Sequence, residues 1–299
     1  MPITPSLWEQ LNALRAFFPY STQWDPERDI PDLTGKVVFI TGGNSGIGAR
    51  IHHRYLLRHL LGSSTNALTI RSSVHNNPVL LCWKGKEMAR HLLVHGARVY
   101  IACRSEDKAK DTVEELKSST GKADSDIIYV LMDLADLASV KNGVADFLSK
   151  ESTLHILYNS AGVMWIPRSE VTIHGHDVAF GVHVLGHFYL TRLLLPTLLA
   201  TVTSTPGEVR IVNMSSNAHF AAPMAKRDKN GNIIDGKAAG VWYGTLVKGE
   251  ERDKVNLDEA VLYPQSKVVR YDSFEALLLL LTTMTPAPHT RESCCSLML

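Results

Sequence analysis

The 299-residue chain is 45% hydrophobic, enough to bury a large core in one domain or two. Its 31 Lys and Arg against 30 Asp and Glu leave a net charge of +1, which excludes the basic footprint of a nucleic-acid binder. Cys82, Cys103, Cys294 and Cys295 are too unevenly spaced for a disulfide framework or a zinc site, so no metal is expected and a reducing, cytoplasmic location is.

Residues 1–31 read as an N-terminal extension without the basic start and long apolar run of a signal peptide. Within it Leu7, Leu11, Leu14 and Phe18 fall at helical spacing. The helix they predict packs on the domain, with peripheral membrane attachment as the alternative. Residues 36–41, 98–102, 127–131, 154–158 and 210–214 each form a short, largely β-branched apolar run of the kind found in buried parallel strands. Helix-period stretches lie between and around them at 86–95, 106–118, 137–150 and 176–200. This alternation predicts an α/β fold: a Rossmann-type, doubly wound parallel sheet in a single domain over residues 32–270. In such folds ligands bind at the carboxyl ends of the strands.

The first strand runs into Thr41-Gly42-Gly43-Asn44-Ser45-Gly46-Ile47-Gly48. Glycines at such a junction let the backbone turn tightly and approach a pyrophosphate, whose charge then meets helix N–H groups. The second strand ends in Cys103-Arg104-Ser105, the third in Met132-Asp133-Leu134, and the fourth in Asn159-Ser160-Ala161-Gly162. Taken alone, Asp133 reads as an N-cap for the helix that follows. Ser216 closes the fifth strand's loop, and Tyr263-Pro-Gln-Ser-Lys267 places a tyrosine and a lysine about one helical turn apart. An ammonium beside a phenol lowers its pKa from about 10 and makes it a usable acid/base near neutrality.

In this order the motifs resemble those of the short-chain dehydrogenase/reductase family, over residues 32–48 and 86–267. The segments Ser215-Ser216-Asn-Ala-His219 and Gly186-His-Phe-Tyr-Leu-Thr191 are similar to retinol-dehydrogenase-type and WW-domain-oxidoreductase-type members. The resemblance implies hydride transfer between a nicotinamide cofactor and a small carbonyl or alcohol, with Ser216, Tyr263 and Lys267 as catalytic residues. It further implies a cofactor site built from Gly42, Asn44, Ser45, Gly46, Ile47, Gly48, Arg104, Asp133, Leu134, Asn159, Ala161, Gly162, Tyr263 and Lys267. Arg104 stands where an acidic residue would bind a ribose 2′-hydroxyl, and so favours NADP(H) over NAD(H). Family members also pair through the long helix and the Tyr–Lys helix, which makes a homo-oligomer an expectation here.

Four features qualify the resemblance. Residues 49–85 interrupt the pattern, as translated intron sequence or as a surface insertion. Deleting them restores Gly-Ile-Gly-Lys-Glu-Met-Ala-Arg, although residues 49–61 could supply a substitute helix. The family's asparagine on the long helix falls at His183, which either serves a proton relay or is a satisfied helix residue, whereas His187 reads as structural. Tyr263 follows Ser216 by 47 positions, a span long enough to cover a substrate. Beyond Lys267 the resemblance fades, so the C-terminal strands are expected to be missing and residues 271–299 to form a non-family tail. The alternative to an active enzyme is therefore a catalytically silent, truncated product with at most weak cofactor or protein binding.

Overall fold

Strand β1 (Val37–Thr41) is buried at all five positions, because it lies at the centre of a sheet covered on both faces. The computed structural model describes residues 25–43, 85–204, 209–216, 218–219, 222, 241–250, 252 and 261–269. Expectations for the helix over 7–18, for residues 44–48, for most of the interruption and for residues 271–299 fall outside them.

A short helix, α1 (Pro26–Asp29), precedes β1 and is capped by the Asp25 carboxylate. Helix α2 (Gly85–Val94), β2 (Arg98–Cys103), α3 (Glu106–Thr120), β3 (Ile127–Leu131), α4 (Leu137–Lys150), β4 (Ile156–Asn159), the long helix α5 (Val178–Ser204) and β5 (Arg210–Asn213) follow. Residues 261–269 form a further helix, α6. All strand pairs are parallel, in the order β3-β2-β1-β4-β5. This is the doubly wound sheet that the alternation predicts. The chain travels outward from β1 to β3 and returns to β4 on the other side of β1. The carboxyl ends of β1 and β4 therefore flank the switch point, where such sheets open a crevice.

Strand side chains alternate between the two faces. Val37 and Phe39 join Tyr100, Phe147 of α4, and Leu190, Leu194 and Leu198 of α5 in one core. Val38 and Ile40 join Met88, Leu92 and Leu93 of α2, and Val113 and Leu116 of α3, in the other. Phe147 meets Phe39 and Tyr100 edge-on, with ring centroids 5.2 and 4.8 Å away. Although α5 is apolar enough by length and composition to cross a membrane, 56% of its most apolar window is buried inside the fold.

The boundaries differ from expectation in places. Gly85, read from sequence as the last residue of the interruption, opens α2. Strand β4 starts at Ile156 rather than at 154, since the buried ring of His155 accepts the Val37 N–H at Nδ1 (3.1 Å) and occupies that ladder position itself. Helix α4 is capped by Asp136, which accepts the Ala138 N–H at 2.9 Å. Asp133 instead accepts the Ala135 N–H at 2.9 Å in a local turn, which corrects its reading as the cap.

Candidate active site

The crevice between β1 and β4 is lined by backbone in close approach. Gly42 has φ +73°, and a Cβ there would lie 2.8 Å from the Cα of Ala161. Only glycine combines that left-handed turn with such contact. A Cβ on Gly85 would lie 2.6 Å from the Gly42 carbonyl oxygen, so the first turn of α2 sits directly on the turn that leaves β1. Of the expected glycine-loop residues, Gly42 is placed here, while Asn44, Ser45, Gly46, Ile47 and Gly48 lie outside the described residues.

Thr41, at the end of β1, organises the loop beyond β4. Its Oγ1 accepts the N–H groups of Ser160 and Ala161, both at 2.9 Å. It also lies 2.8 Å from His187 Nε2. Because His187 Nδ1 faces the Val182 carbonyl at 2.8 Å, the ring proton sits on Nδ1 and Thr41 donates to Nε2. His187 is thus a structural tie, as expected. Asn159, fully buried, donates to Thr191 Oγ1 (3.1 Å) and Asn213 Oδ1 (2.8 Å), binding β4 to α5 and β5.

The far side of the crevice holds the other candidate cofactor residues. Arg104 is exposed at the end of β2 and has no ion-pair partner among the described residues. Leu134 is buried against Gly186 of α5, where any side chain would strike its carbonyl oxygen. Asp133 is half-buried beside it, and its own N–H donates to Ser139 Oγ (2.9 Å).

Helix α6 carries Tyr263 and Lys267 on one face. The Lys267 ammonium is 5.2 Å from the centroid of the Tyr263 ring, Lys267 is buried, and Tyr263 is half-buried. His183 stands edge-on to Tyr263, with centroids 5.3 Å apart and planes at 85°. It lies in a π-helical stretch of α5, Gly181–Gly186, a widened turn of the kind found at functional sites. Val163 donates its N–H to His183 Nε2 at 2.9 Å, so that nitrogen is an acceptor. The proton is therefore on Nδ1, which lies 2.7 Å from Ser266 Oγ, and the Ser266 hydroxyl in turn donates a hydrogen bond to the Tyr263 carbonyl at 2.7 Å. The ring is fully buried, neutral and committed at both nitrogens. A Cβ on Gly162 would lie 3.0 Å from His183 Nε2 and 3.8 Å from Lys267 Nζ, so the loop beyond β4 presses against both.

Ser216 is half-buried in the loop leaving β5, its hydroxyl accepting the Ala218 N–H at 3.2 Å. The fold thus unites His183, Tyr263, Lys267 and Gly162 in direct proximity. Thr41, Gly85, Val163 and Ser266 are contributors that the sequence reading did not single out, although Thr41 opens the glycine-rich motif and Ser266 lies inside the Tyr-x-x-x-Lys turn.

A family model for the short chain dehydrogenase matches residues 85–226. A short-chain dehydrogenase/reductase of Armillaria gallica is 42% identical over 203 residues, covering 68% of this chain and 52% of the relative. Retinol dehydrogenase 12 of Mus musculus is 37% identical over 199 residues, covering 67% and 49%. The chain spans about half the length of these curated relatives. Among solved structures, a Mycobacterium paratuberculosis protein aligns with TM-score 0.55 at 23% identity, over 88% of this chain and 68% of that one. The RhlG/NADP complex of Pseudomonas aeruginosa aligns with TM-score 0.52 at 20% identity, over 84% and 69%. Both likenesses concern the fold.

Proposed function

Because the chain belongs to the short-chain dehydrogenase/reductase family and has that family's Rossmann-type fold, we propose that it is an NADP(H)-dependent oxidoreductase acting on a carbonyl or alcohol. The observation that carries the reading is the Tyr263–Lys267 pair, with the ammonium 5.2 Å from the phenol ring beside the β1–β4 crevice. The residues there are of the kind that border a dinucleotide: the Gly42 turn stands at the carboxyl ends of β1 and β4, where sheets of this type take such ligands, and the α2 N-terminus packs against it.

When bound, the nicotinamide supplies or accepts the hydride. The chain's own residues do the rest. Gly42 and the first turn of α2 would receive the pyrophosphate. Arg104, exposed and without an ion-pair partner among the described residues, would bind a 2′-phosphate in preference to a bare ribose hydroxyl. Asp133 and Leu134 would border the adenine. Tyr263 holds the proton that the substrate oxygen gains or loses at its Oη, and Lys267 stabilises the phenolate form. The Ser216 hydroxyl would steady the substrate oxygen. For His183 the hydrogen-bond pattern supports orientation of α6 over proton relay, since its only ring proton is given to Ser266.

The substrate is an aldehyde, ketone or alcohol; the retinol dehydrogenase relatives make retinal one probe, and decanal serves as a second. The test is calorimetric titration of the purified chain with NADPH, followed by NADPH consumption with each aldehyde. Binding and turnover by the wild type are expected, with turnover lost and binding retained in Tyr263→Phe. Binding by a chain that turns over neither aldehyde favours the silent-product alternative. No binding overturns the reading.

A further inference from the structure

Arg252 has no part in the site as described, yet it is buried and, among the described residues, holds a single counter-ion. Its guanidinium donates to the carbonyls of Thr245 and of Arg168 (2.9 Å) and to Asp177 Oδ2 (3.1 Å). Asp177 is equally buried, and its other oxygen caps α5 by accepting the Phe180 N–H at 2.9 Å. One ion pair therefore grips the loop beyond β4, the first turn of α5 and the strip 241–250. Backbone bonds from Asp177 N–H to the Leu246 carbonyl (2.8 Å) and from Lys248 N–H to the Gly175 carbonyl (2.7 Å) run alongside it.

Two routes lead from this grip to Tyr263. Along α5 the capped turn is followed at once by the π-helical stretch that carries His183, edge-on to the Tyr263 ring. Through the strip, Thr245 donates its N–H (3.0 Å) and its hydroxyl (2.7 Å) to the Trp242 carbonyl. Trp242 in turn donates its N–H to Oε1 of Gln265, which sits between Tyr263 and Lys267 and is fully buried.

We propose that Arg252 is a positioning residue for the Tyr263–Lys267 pair, fixing α5 relative to α6 through Asp177 on one side and Thr245 on the other. The proposal rests on the oxidoreductase reading. A lysine could neutralise Asp177 but could not present the planar fork that reaches three acceptors. Simple stabilisation does not require an ion pair here, since a matched pair of neutral side chains serves a buried site as well.

That distinction supplies the test. Arg252→Met alone leaves Asp177 charged and buried, and is expected to lower stability sharply. The double variant Arg252→Met with Asp177→Asn removes both charges and is expected to recover most of the wild-type melting temperature. If Arg252 only stabilises, the double variant also recovers kcat. If it positions, kcat with NADPH and decanal stays lower by about tenfold or more while the KM for NADPH changes by less than about twofold. Amide exchange over 180–186 and 261–269 should remain about tenfold faster than in the wild type. Arg252→Lys, which keeps the charge without the fork, should fold and show the same kcat loss in milder form. A double variant or Arg252→Lys with wild-type kcat and wild-type exchange overturns the proposal. A wild-type chain that consumes no NADPH overturns the oxidoreductase reading instead, and the exchange comparison still decides whether Arg252 couples the two helices.

Discussion

His183 Nδ1 lies 2.7 Å from the hydroxyl of Ser266, and through that bond the π-helical turn of α5 is fastened to the helix that carries Tyr263 and Lys267. His183→Phe keeps the ring volume but leaves the Val163 N–H without its acceptor and removes the donor that faces the Ser266 hydroxyl, which keeps only its bond to the Tyr263 carbonyl. A buried donor left without an acceptor costs about 1–3 kcal/mol. His183→Asn can still donate to Ser266. The expected order of kcat is wild type, then Asn, then Phe, with the Phe variant down by about tenfold or more. Steady-state kinetics check this, and nitrogen NMR of labelled histidine should find His183 as the Nδ1–H tautomer.

Glycine at position 42 is required twice over, by its φ of +73° and by the Ala161 Cα 2.8 Å from where a Cβ would stand. Gly42→Ala should lower stability by about 1–3 kcal/mol, read from the urea midpoint, and weaken NADPH binding through the same displacement. Gly85→Ala has ordinary helical backbone but would push α2 off the Gly42 carbonyl. Its expected signature is a loss of NADPH affinity larger than its loss of stability. Equal affinity in the Gly85 variant and the wild type would show that α2 does not meet the cofactor.

Arg104 tests cofactor choice. An exposed arginine carries little of the fold's stability, so Arg104→Glu should leave the melting temperature within about a degree or two. Reversal of charge at a 2′-phosphate contact removes a charge-assisted bond and adds repulsion, so NADPH affinity should fall by about tenfold to a hundredfold while NADH affinity falls much less. Parallel calorimetry with both nucleotides gives the ratio. A proportional loss for both would place Arg104 away from the 2′ position.

The sheet was legible because its signals are local. Short β-branched runs bounded by turns mark β1 to β5, and a Tyr-x-x-x-Lys spacing puts both side chains on one helical face whatever surrounds it. Relationships made only by folding were not legible. Arg252 follows Glu250 and Glu251 and precedes Asp253 and Lys254, a charge run that reads as solvated surface, although its side chain is buried against Asp177. The π-helical turn has no periodic signature either. It depends on Gly181 and Gly186 admitting Thr172 and Leu134, contacts that span 9 and 52 positions.

Cys103 gives the pH prediction. It is a free thiol at the end of β2, next to Arg104, and burial pushes its pKa up from 9.0 to about 11. In the unfolded chain the thiol ionises near its ordinary value, while in the native state it stays protonated through that range. The native state therefore binds more protons between pH 9 and pH 11, and stability must fall as pH rises across that window. The contribution is fully present below pH 9 and is lost through pH 11. Cys103→Ala removes the titration, so its urea midpoint should decline less steeply across the same window, although packing lost in the core lowers it at every pH. The thiol should also react slowly with iodoacetamide at neutral pH until the chain is unfolded, since the thiolate is the nucleophile. Fast labelling of the native chain at Cys103, identified by mass spectrometry, would contradict the burial on which this prediction stands.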